Sequence, residues 1–515
     1  TKPLVAKDGK LAKASWKSAL DLASEKLTDY KKNLIVLASG RLSNEDLFNL
    51  KSFADLAGGK AILYTDMGGG ELTAHVGVGQ GFDLGKLGAN DAILVVASDL
   101  YEEAPIWWLR VKQAAERGAT LIVANPRETK LDKHAKFVIR YSYGDEIKTV
   151  EDLNGKTKIA DAFAKAENVV ILFGSEGLGL AGSTSVAAAA ADLLKETNRA
   201  GKPNSGLIGV WPRANDQGAW EMGYEPSDDL TEELKGKAVY IVGADPAGDD
   251  PALAKALKAA KFVVVQDISL TATAGLADVV LPAQAYTERE GTFTSGERRA
   301  QRFYPAVPVT GEARPDFVIT SQIARQMGYI LEGTSPSIVF DFLATDVKSY
   351  EGLDYSKLAE VTEQWPLVGR GDVNYGGTSY ENKHGLGAQL TSAAGRGETF
   401  KLPAAKKAKS LRPKEGEVLA VPVTRLYDQG TTVLPAELLA ERIGEPSVTL
   451  NPATARELGA EAGELVKLAF NGTQAEVRVR TDEAVPTGVA LVPRSFGLAV
   501  REPVVVSVKS VKKVK

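Results

Sequence analysis

The chain has no cysteine among its 515 residues. That absence excludes disulfides, thiolate-held iron–sulfur clusters within the chain, zinc knuckles and a cysteine nucleophile. Histidine is almost as scarce. His75, His134 and His384 stand far apart, with no i, i+4 pair and no acidic cluster beside them, so no metal site is expected from this chain alone. So few histidines, and no Gly-x-Ser-x-Gly, leave little room for a serine hydrolase. No stretch approaches the ~18 apolar residues of a membrane-spanning helix, and residues 1–10 lack the apolar centre of a signal peptide. Direct membrane insertion is therefore not expected. An excess of one charge sign is missing too. With 62 basic and 66 acidic residues the net charge is −4, which gives no global field for nucleic acid or an anionic membrane. Only 509–515 is locally basic.

What is present is globular material, 44% hydrophobic and long enough for roughly three domains at ~150 residues each. Pro3 and the Asp8-Gly9 pair suggest a small hairpin in 1–11. Ser15 reads as the N-cap of an amphipathic helix over 16–30. A strand–helix–strand pattern then repeats four times: 33–38, 44–57 and 61–65; 92–97, 105–117 and 120–124; 169–173, 184–195 and 207–210; 238–242, 251–261 and 262–266. That repetition predicts parallel sheets. The second and fourth repeats resemble each other, DAILVVASDL beside KAVYIVGADP, and each ends in an edge strand, HAKFVIR or LADVVLP. A duplicated α/β unit follows, with ligand-facing loops at the strand ends.

Residues 67–88 are glycine-rich, and without a following Lys-Ser or Lys-Thr they read as an inter-domain loop rather than a phosphate loop. Residues 331–416 lose periodicity. They hold Gly376, Gly377, Gly385, Gly387, Gly395 and Gly397, then Lys401, Lys406, Lys407 and Lys409, and read as an irregular excursion. From 417 short strands separated by turns such as Asn471-Gly472 predict a compact β-barrel.

Two stretches carry possible chemistry. Gly177-Leu178-Gly179-Leu180-Ala181-Gly182 is a formal G-x-G-x-x-G that would place a pyrophosphate at a helix start. It argues only weakly for a nicotinamide dehydrogenase, because Glu176 sits where phosphate would lie and Trp211-Pro212-Arg213 offers no carboxylate for a ribose. The other stretch is 277–301, ADVVLPAQAYTEREGTFTSGERRAQ, where an edge strand runs into a rim loop dense in both charge signs around Gly291 and Gly296.

That second stretch resembles the segment ADVVLP…E..GTF.N.EGR.Q of the molybdopterin oxidoreductase superfamily. Gly118–Val123 with Asn125-Pro126-Arg127 resembles its GakLIvvDPR motif, and Asn451-Pro452-Ala453-Thr454-Ala455 its C-terminal dinucleotide-binding barrel. Arg213-Ala214-Asn215-Asp216-Gln217-Gly218-Ala219-Trp220-Glu221-Met222-Gly223 is similar to a segment of the large iron–sulfur subunit of NADH:quinone oxidoreductase, respiratory complex I. The resemblance implies two doubly wound Rossmann-like units followed by a β-barrel, as in formate dehydrogenases and DMSO reductases. The implied domains are 1–32 as an extension, 33–66 with 165–330, an inserted 67–164, the excursion 331–416 and the barrel 417–515.

The resemblance also implies 2Fe-2S and 4Fe-4S clusters in a region preceding Thr1. Other hydrophilic-arm subunits of complex I would be the partners, at the cytoplasmic face of a bacterial inner membrane. In catalytic members the pterin dinucleotide is held by loops matching Asn125–Arg127, Gly243–Pro246 and Glu290–Gln301. This sequence departs from them: Ala97-Ser98-Asp99-Leu100 replaces GaN, Asn125 replaces an aspartate, Tyr143-Gly144-Asp145-Glu146 replaces PGTD, and no cysteine ligand exists. Asp99 and Glu146 would repel phosphate. The expectation is a redox-silent scaffold with no catalytic, cofactor-binding or metal residue of its own, its pterin cleft (Asn125, Arg127, Gly243, Asp245, Glu290, Gln301) a relic. An active molybdopterin oxidoreductase of the formate dehydrogenase or nitrate reductase kind is the alternative.

Overall fold

The computed structural model describes residues 1–153, 155, 158–358, 387–399, 401–403, 405, 411–470 and 473–510. Gly376, Gly377, Gly385, His384, Lys406, Lys407, Lys409 and the Asn471-Gly472 turn lie outside them, as do residues 511–515 of the basic tail. The chain divides into two compact units, one of 1–65, 79–81 and 213–393, the other of 66–78, 82–212 and 394–515.

The first unit is organised by a seven-stranded sheet in the order Lys10–Lys13, Leu4–Lys7, Val279–Pro282, Phe262–Asp267, Ala238–Val242, Leu34–Ala38, Lys60–Leu63. The last five strands run parallel, and Leu4–Lys7 adds antiparallel to Val279–Val280. Leu34–Ala38 and Ala238–Val242 are buried at every position. Both faces of a central parallel strand are covered, which is why they read as continuous apolar runs. The N-terminal hairpin forms as expected, with Asp8 at φ 51° and Gly9 at φ 74°, the positive pair that a two-residue turn matched to strand twist requires. Helix Asn44–Ala57 begins with a capping box in which the Ser43 hydroxyl accepts from Asp46 N and the Asp46 carboxylate accepts from Ser43 N.

Two expectations change in this unit. The rim loop is an ordered ribbon, Gly291–Thr294 against Arg299–Phe303, with Ala388–Gln389 as a third strand. The excursion contains a helix, Pro336–Asp346, whose Val339, Phe340, Leu343 and Ala344 are buried. Their spacing is helical, and Ser335-Pro336 is a proper helix start.

In the second unit a parallel sheet runs Phe137–Ile139, Thr120–Ala124, Asp91–Val96, Asn168–Phe173, Gly206–Gly209. The boundary expected between 164 and 165 is corrected by this pairing. Asn168–Phe173 lies parallel to Asp91–Val96, so 165–212 belongs with the sheet expected for 67–164 and not with 33–66. Apolar strand content says that a strand is buried but not in which sheet.

The duplication is visible in the strand order. Asp91–Val96, Thr120–Ala124 and Phe137–Ile139 are successive neighbours, as are Ala238–Val242, Phe262–Asp267 and Val279–Pro282. The glycine-rich segment packs against the alanine-rich helix Leu180–Glu196: a Cβ on Gly68 would fall 2.2 Å from Thr184 Oγ1, and one on Gly69 2.6 Å from the Ala187 methyl. The C-terminal barrel is closed by six strands, Glu417–Val423, Val489–Pro493, Ser447–Leu450, Thr473–Thr481, Leu465–Phe470 and Val504–Ser510.

Candidate functional site

Ligands of open α/β sheets bind beyond the carboxyl ends of the strands. In the second unit that position is filled by the chain's own charges. Asp91–Val96 ends in Ala97, at φ 50°, which turns the chain so that Asp99 faces the loop after Thr120–Ala124. There Arg127 donates from Nε to Glu176 Oε1 at 2.8 Å, and from Nη2 to Glu176 Oε2 at 2.7 Å and Asp99 Oδ2 at 2.9 Å. All three residues are buried. Burial alone would lower the Arg127 pKa, but the Glu176 and Asp99 charges outweigh it and hold the guanidinium above its ordinary value. Tyr143 donates to Glu176 Oε1 at 3.1 Å, and its ring lies where a Cβ on Gly177 would be, 2.4 Å away. Asn125 stabilises the loop, accepting from Arg127 N at 3.2 Å and donating to Ser98 O at 3.2 Å.

Beside this cluster the Glu103 carboxylate accepts from the Ser98 hydroxyl, and burial pushes its pKa up to about 8. Arg494, from the barrel, donates through Nη2 to Ser175 O at 3.1 Å and Leu178 O at 2.7 Å. Glu146 stays within its own turn, taking the Gly144 N–H on both carboxylate oxygens at 2.9 Å, and burial raises it to about 7. Gly179 does begin the helix Leu180–Glu196, but Glu502 covers it: a Cβ there would meet the Glu502 Cβ at 2.8 Å. With Glu176 turned to Arg127 and Glu502 at the helix start, a nicotinamide pyrophosphate has no free place at Gly177–Gly182.

The first unit repeats the arrangement. Arg41 donates from Nε to Gly243 O at 2.7 Å and pairs through Nη2 with Asp267 at 2.7 Å. Asp245 accepts from Thr273 N at 2.8 Å and from its hydroxyl at 2.6 Å, and caps the short helix Pro246–Asp249. Arg289 lies between Asp46 (2.6 Å) and Asp316 (3.3 Å). Burial, reinforced by Asp46, raises Asp316 to about 7. Burial likewise raises Glu45 to about 7, while Thr292 N, the Thr292 hydroxyl and the Tyr355 hydroxyl donate to it. Glu290 takes the Arg302 guanidinium, which lies over the Tyr304 and Tyr355 rings at 4.5 Å.

The two motif segments that stand far apart in sequence meet here. Asn215 accepts from Thr294 N at 2.7 Å, and Glu221 binds Arg298 at 2.7 Å. Gln301 faces solvent. Of the residues expected in a relic cleft, Asn125 and Arg127 come together in one unit, Gly243 and Asp245 adjoin one strand end of the other, and Glu290 belongs to the ribbon. Sequence reading missed Glu103 and Arg494, and singled out the segment holding Glu221 without its pairing to Arg298, since no local pattern distinguishes a buried charge from a surface one.

A pyrophosphate needs cations and N–H groups that are free to turn to it. Arg41, Arg127, Arg289, Arg298 and Arg302 are each engaged by a carboxylate of the same unit. Glu176 and Asp99 are the ion-pair partners of Arg127 at this strand end. Arg494, beside Glu103, differs from these five arginines: its Nε and Nη1 are buried and have no hydrogen-bond partner among the described residues. Among the described residues no group of three or more histidine, aspartate or glutamate side chains is placed to hold a metal, and no helix is long and apolar enough to cross a membrane.

Paired α/β units with strand-end loops and a closed C-terminal barrel define a doubly wound fold. A solved structure with that likeness is acetylene hydratase from Pelobacter acetylenicus (TM-score 0.64, 17% identity, 96% of this chain and 84% of that one). Residues 1–326 match the molybdopterin oxidoreductase family and 423–510 the molydopterin dinucleotide binding domain; the chain belongs to the molybdopterin oxidoreductase family.

Its relatives include the alpha subunit of a formate dehydrogenase from Methanocaldococcus jannaschii, 27% identical over 96% of this chain and 86% of that protein. Formate dehydrogenase H of Escherichia coli is 26% identical over 72% and 66%. A subunit of an NADH-quinone oxidoreductase from Rhizobium meliloti is 26% identical over 69% and 51%. The superfamily resemblance is thus established. Formate dehydrogenases outnumber the quinone-reductase subunit among these relatives, so the comparisons lean toward the former.

Proposed function

We propose that this chain is a subunit of an electron-transfer assembly in which its family fold acts as a scaffold and not as a cofactor site. The observation that carries this reading is the Arg127–Glu176–Asp99 cluster. A buried arginine already neutralised by two carboxylates offers a phosphate no net attraction, and displacing the carboxylates would strand them in a low-dielectric interior. In its finer form the assembly is NADH:quinone oxidoreductase, supported by the likeness of 213–223 to its large iron–sulfur subunit and by the Rhizobium relative. Electrons would pass through 2Fe-2S and 4Fe-4S clusters held elsewhere in the subunit and by other hydrophilic-arm subunits. The assembly would lie at the cytoplasmic face of a bacterial inner membrane.

A second reading is an active molybdopterin oxidoreductase of the formate dehydrogenase kind. It is favoured over the complex I assignment by the coverage of the formate dehydrogenase relatives, whereas the buried charge pairing favours the scaffold. One measurement separates them: molybdenum and tungsten content of the purified chain, with fluorescence of any oxidised pterin released from it. The scaffold predicts neither in stoichiometric amount. Either one at a mole per mole establishes the second reading in its place.

A further inference from the structure

In the second unit the helix Pro105–Glu116 is apolar on its outer side. Only Val111 and Ala114 are buried on it, while Ile106 and Leu109, one turn apart, are 66% and 44% exposed. A surface helix ordinarily turns such residues inward. Ring contacts join this helix to the edge of the five-stranded sheet. Tyr101 meets Trp108 edge-on at 5.6 Å, Trp108 meets His134 at 6.0 Å, and Lys130 Nζ lies 3.3 Å from the Tyr101 ring centre. His134 closes the short turn before Phe137–Ile139, the terminal strand of that sheet, where Val138 is also exposed.

The charge around these side chains is opposite to that of the whole chain. Arg110, Lys130, Lys133 and Lys136 are exposed, and none has a carboxylate partner among the described residues. The acidic neighbours are mostly taken: Asp132 by Arg140, Glu116 by Lys112 and Glu102 by Arg425, leaving Glu128. A terminal strand offers main-chain hydrogen bonds only to another polypeptide, and four cations interrupted by apolar side chains make a poor track for a phosphate backbone.

We infer that this face docks an acidic, extended segment of a second protein, laid along Phe137–Ile139 with apolar side chains over Ile106 and Leu109 and carboxylates at Lys130, Lys133 and Lys136. The inference rests on the reading of this chain as one subunit of an assembly, in either form given above.

The test uses the assembly purified from its source. Zero-length carbodiimide coupling followed by peptide mass spectrometry is expected to join Lys130, Lys133 or Lys136 to aspartate or glutamate of a different polypeptide. Acetylation of the three lysines should be at least about fivefold slower in the assembly than in the free chain. The triple variant K130E/K133E/K136E changes exposed side chains and removes the Lys130 contact with the Tyr101 ring, which is weak at an exposed site; its melting temperature should fall by no more than about 4 °C, while its affinity for the coupled partner falls about tenfold or more. Equal acetylation rates, retention of the partner by the variant, or coupling only to a second copy of this chain overturns the inference. So does sedimentation of the free chain with phosphatidylserine vesicles that the triple substitution abolishes, which would assign the face to a membrane surface. A chain that purifies with no second polypeptide refutes the subunit reading itself, a result distinct from an assembly in which these lysines stay open.

Discussion

Arg298 holds the Glu221 carboxylate through Nε at 2.7 Å and Nη2 at 3.0 Å, with both side chains fully inside the first unit. The pair fastens the ribbon Gly291–Phe303 to the helix Asp216–Glu221. Arg298 itself sits at φ 59°, a left-handed turn that points its side chain inward.

Removing one member of this pair leaves the other charge buried. Arg298→Met should cost about 3–5 kcal/mol, and the double change with Glu221→Met clearly less than either single change. Burial pushes the Glu221 pKa up, but Arg298 outweighs it and holds the carboxyl below its usual value. Its stabilising contribution is therefore full above the ordinary carboxylate range and is lost as pH falls through the depressed value. Urea unfolding of the single and double variants between pH 3 and pH 7 checks both statements. Additive single-variant costs would show that the pair is not coupled.

Glu103 gives the opposite sign. Its folded pKa is raised to about 8 by burial, opposed by the Ser98 hydroxyl and reinforced by Glu176 and Asp99, with Arg494 pulling the other way. A raised carboxyl favours the folded state fully below the unfolded value near 4.5, and that contribution is lost as pH rises toward 8. Thermal melting of the native chain should weaken between pH 5 and pH 8.5 by on the order of 1–3 kcal/mol more than that of Glu103→Gln, which has no proton to lose. Parallel melting curves for the two proteins would rule this out.

The strand–helix repeats, the Asp8-Gly9 turn, the duplicated strand order and the barrel were legible because each rests on local periodicity or turn chemistry. The sheet to which Asn168–Phe173 belongs was not, since five consecutive buried residues look alike beside any parallel neighbour. The ribbon at 291–303 was hidden for a related reason. Its inward residues are Thr292 and Thr294, and their burial depends on Asn44, Glu45 and Asn215 accepting or donating from far along the chain. Charge at the strand ends was visible at Asp99 and Arg127, but that they engage each other and Glu176 is a property of the fold alone.

Gly177 illustrates how a cofactor-like motif becomes structural. It has φ 68° and stands against the Tyr143 ring, so Gly177→Ala meets both backbone strain and a clash. A loss of about 2–4 kcal/mol follows. Gly182, in the same motif, would meet the flexible Leu178 side chain at 3.0 Å, and Gly182→Ala should cost less, because alanine also favours a helix interior. Chemical denaturation of the two variants orders them; the reverse order would contradict the packing described.

Asn215 and Gln301 make the last contrast, between a residue that fastens two segments and one expected at a cofactor rim. Asn215 is fully buried, accepts from Thr294 N at 2.7 Å and donates to Leu42 O at 2.8 Å. Asn215→Leu would leave a backbone N–H and a backbone carbonyl without partners, each costing about 1–3 kcal/mol. Gln301 is exposed, and Gln301→Ala should change stability by no more than about 0.5 kcal/mol. If the ribbon serves as a brace, Asn215→Leu should also open the amides of Gly291–Thr294 to hydrogen exchange at least about tenfold faster, since local opening follows the lost free energy. A ribbon that exchanges at the native rate in that variant would show that it is held by other contacts.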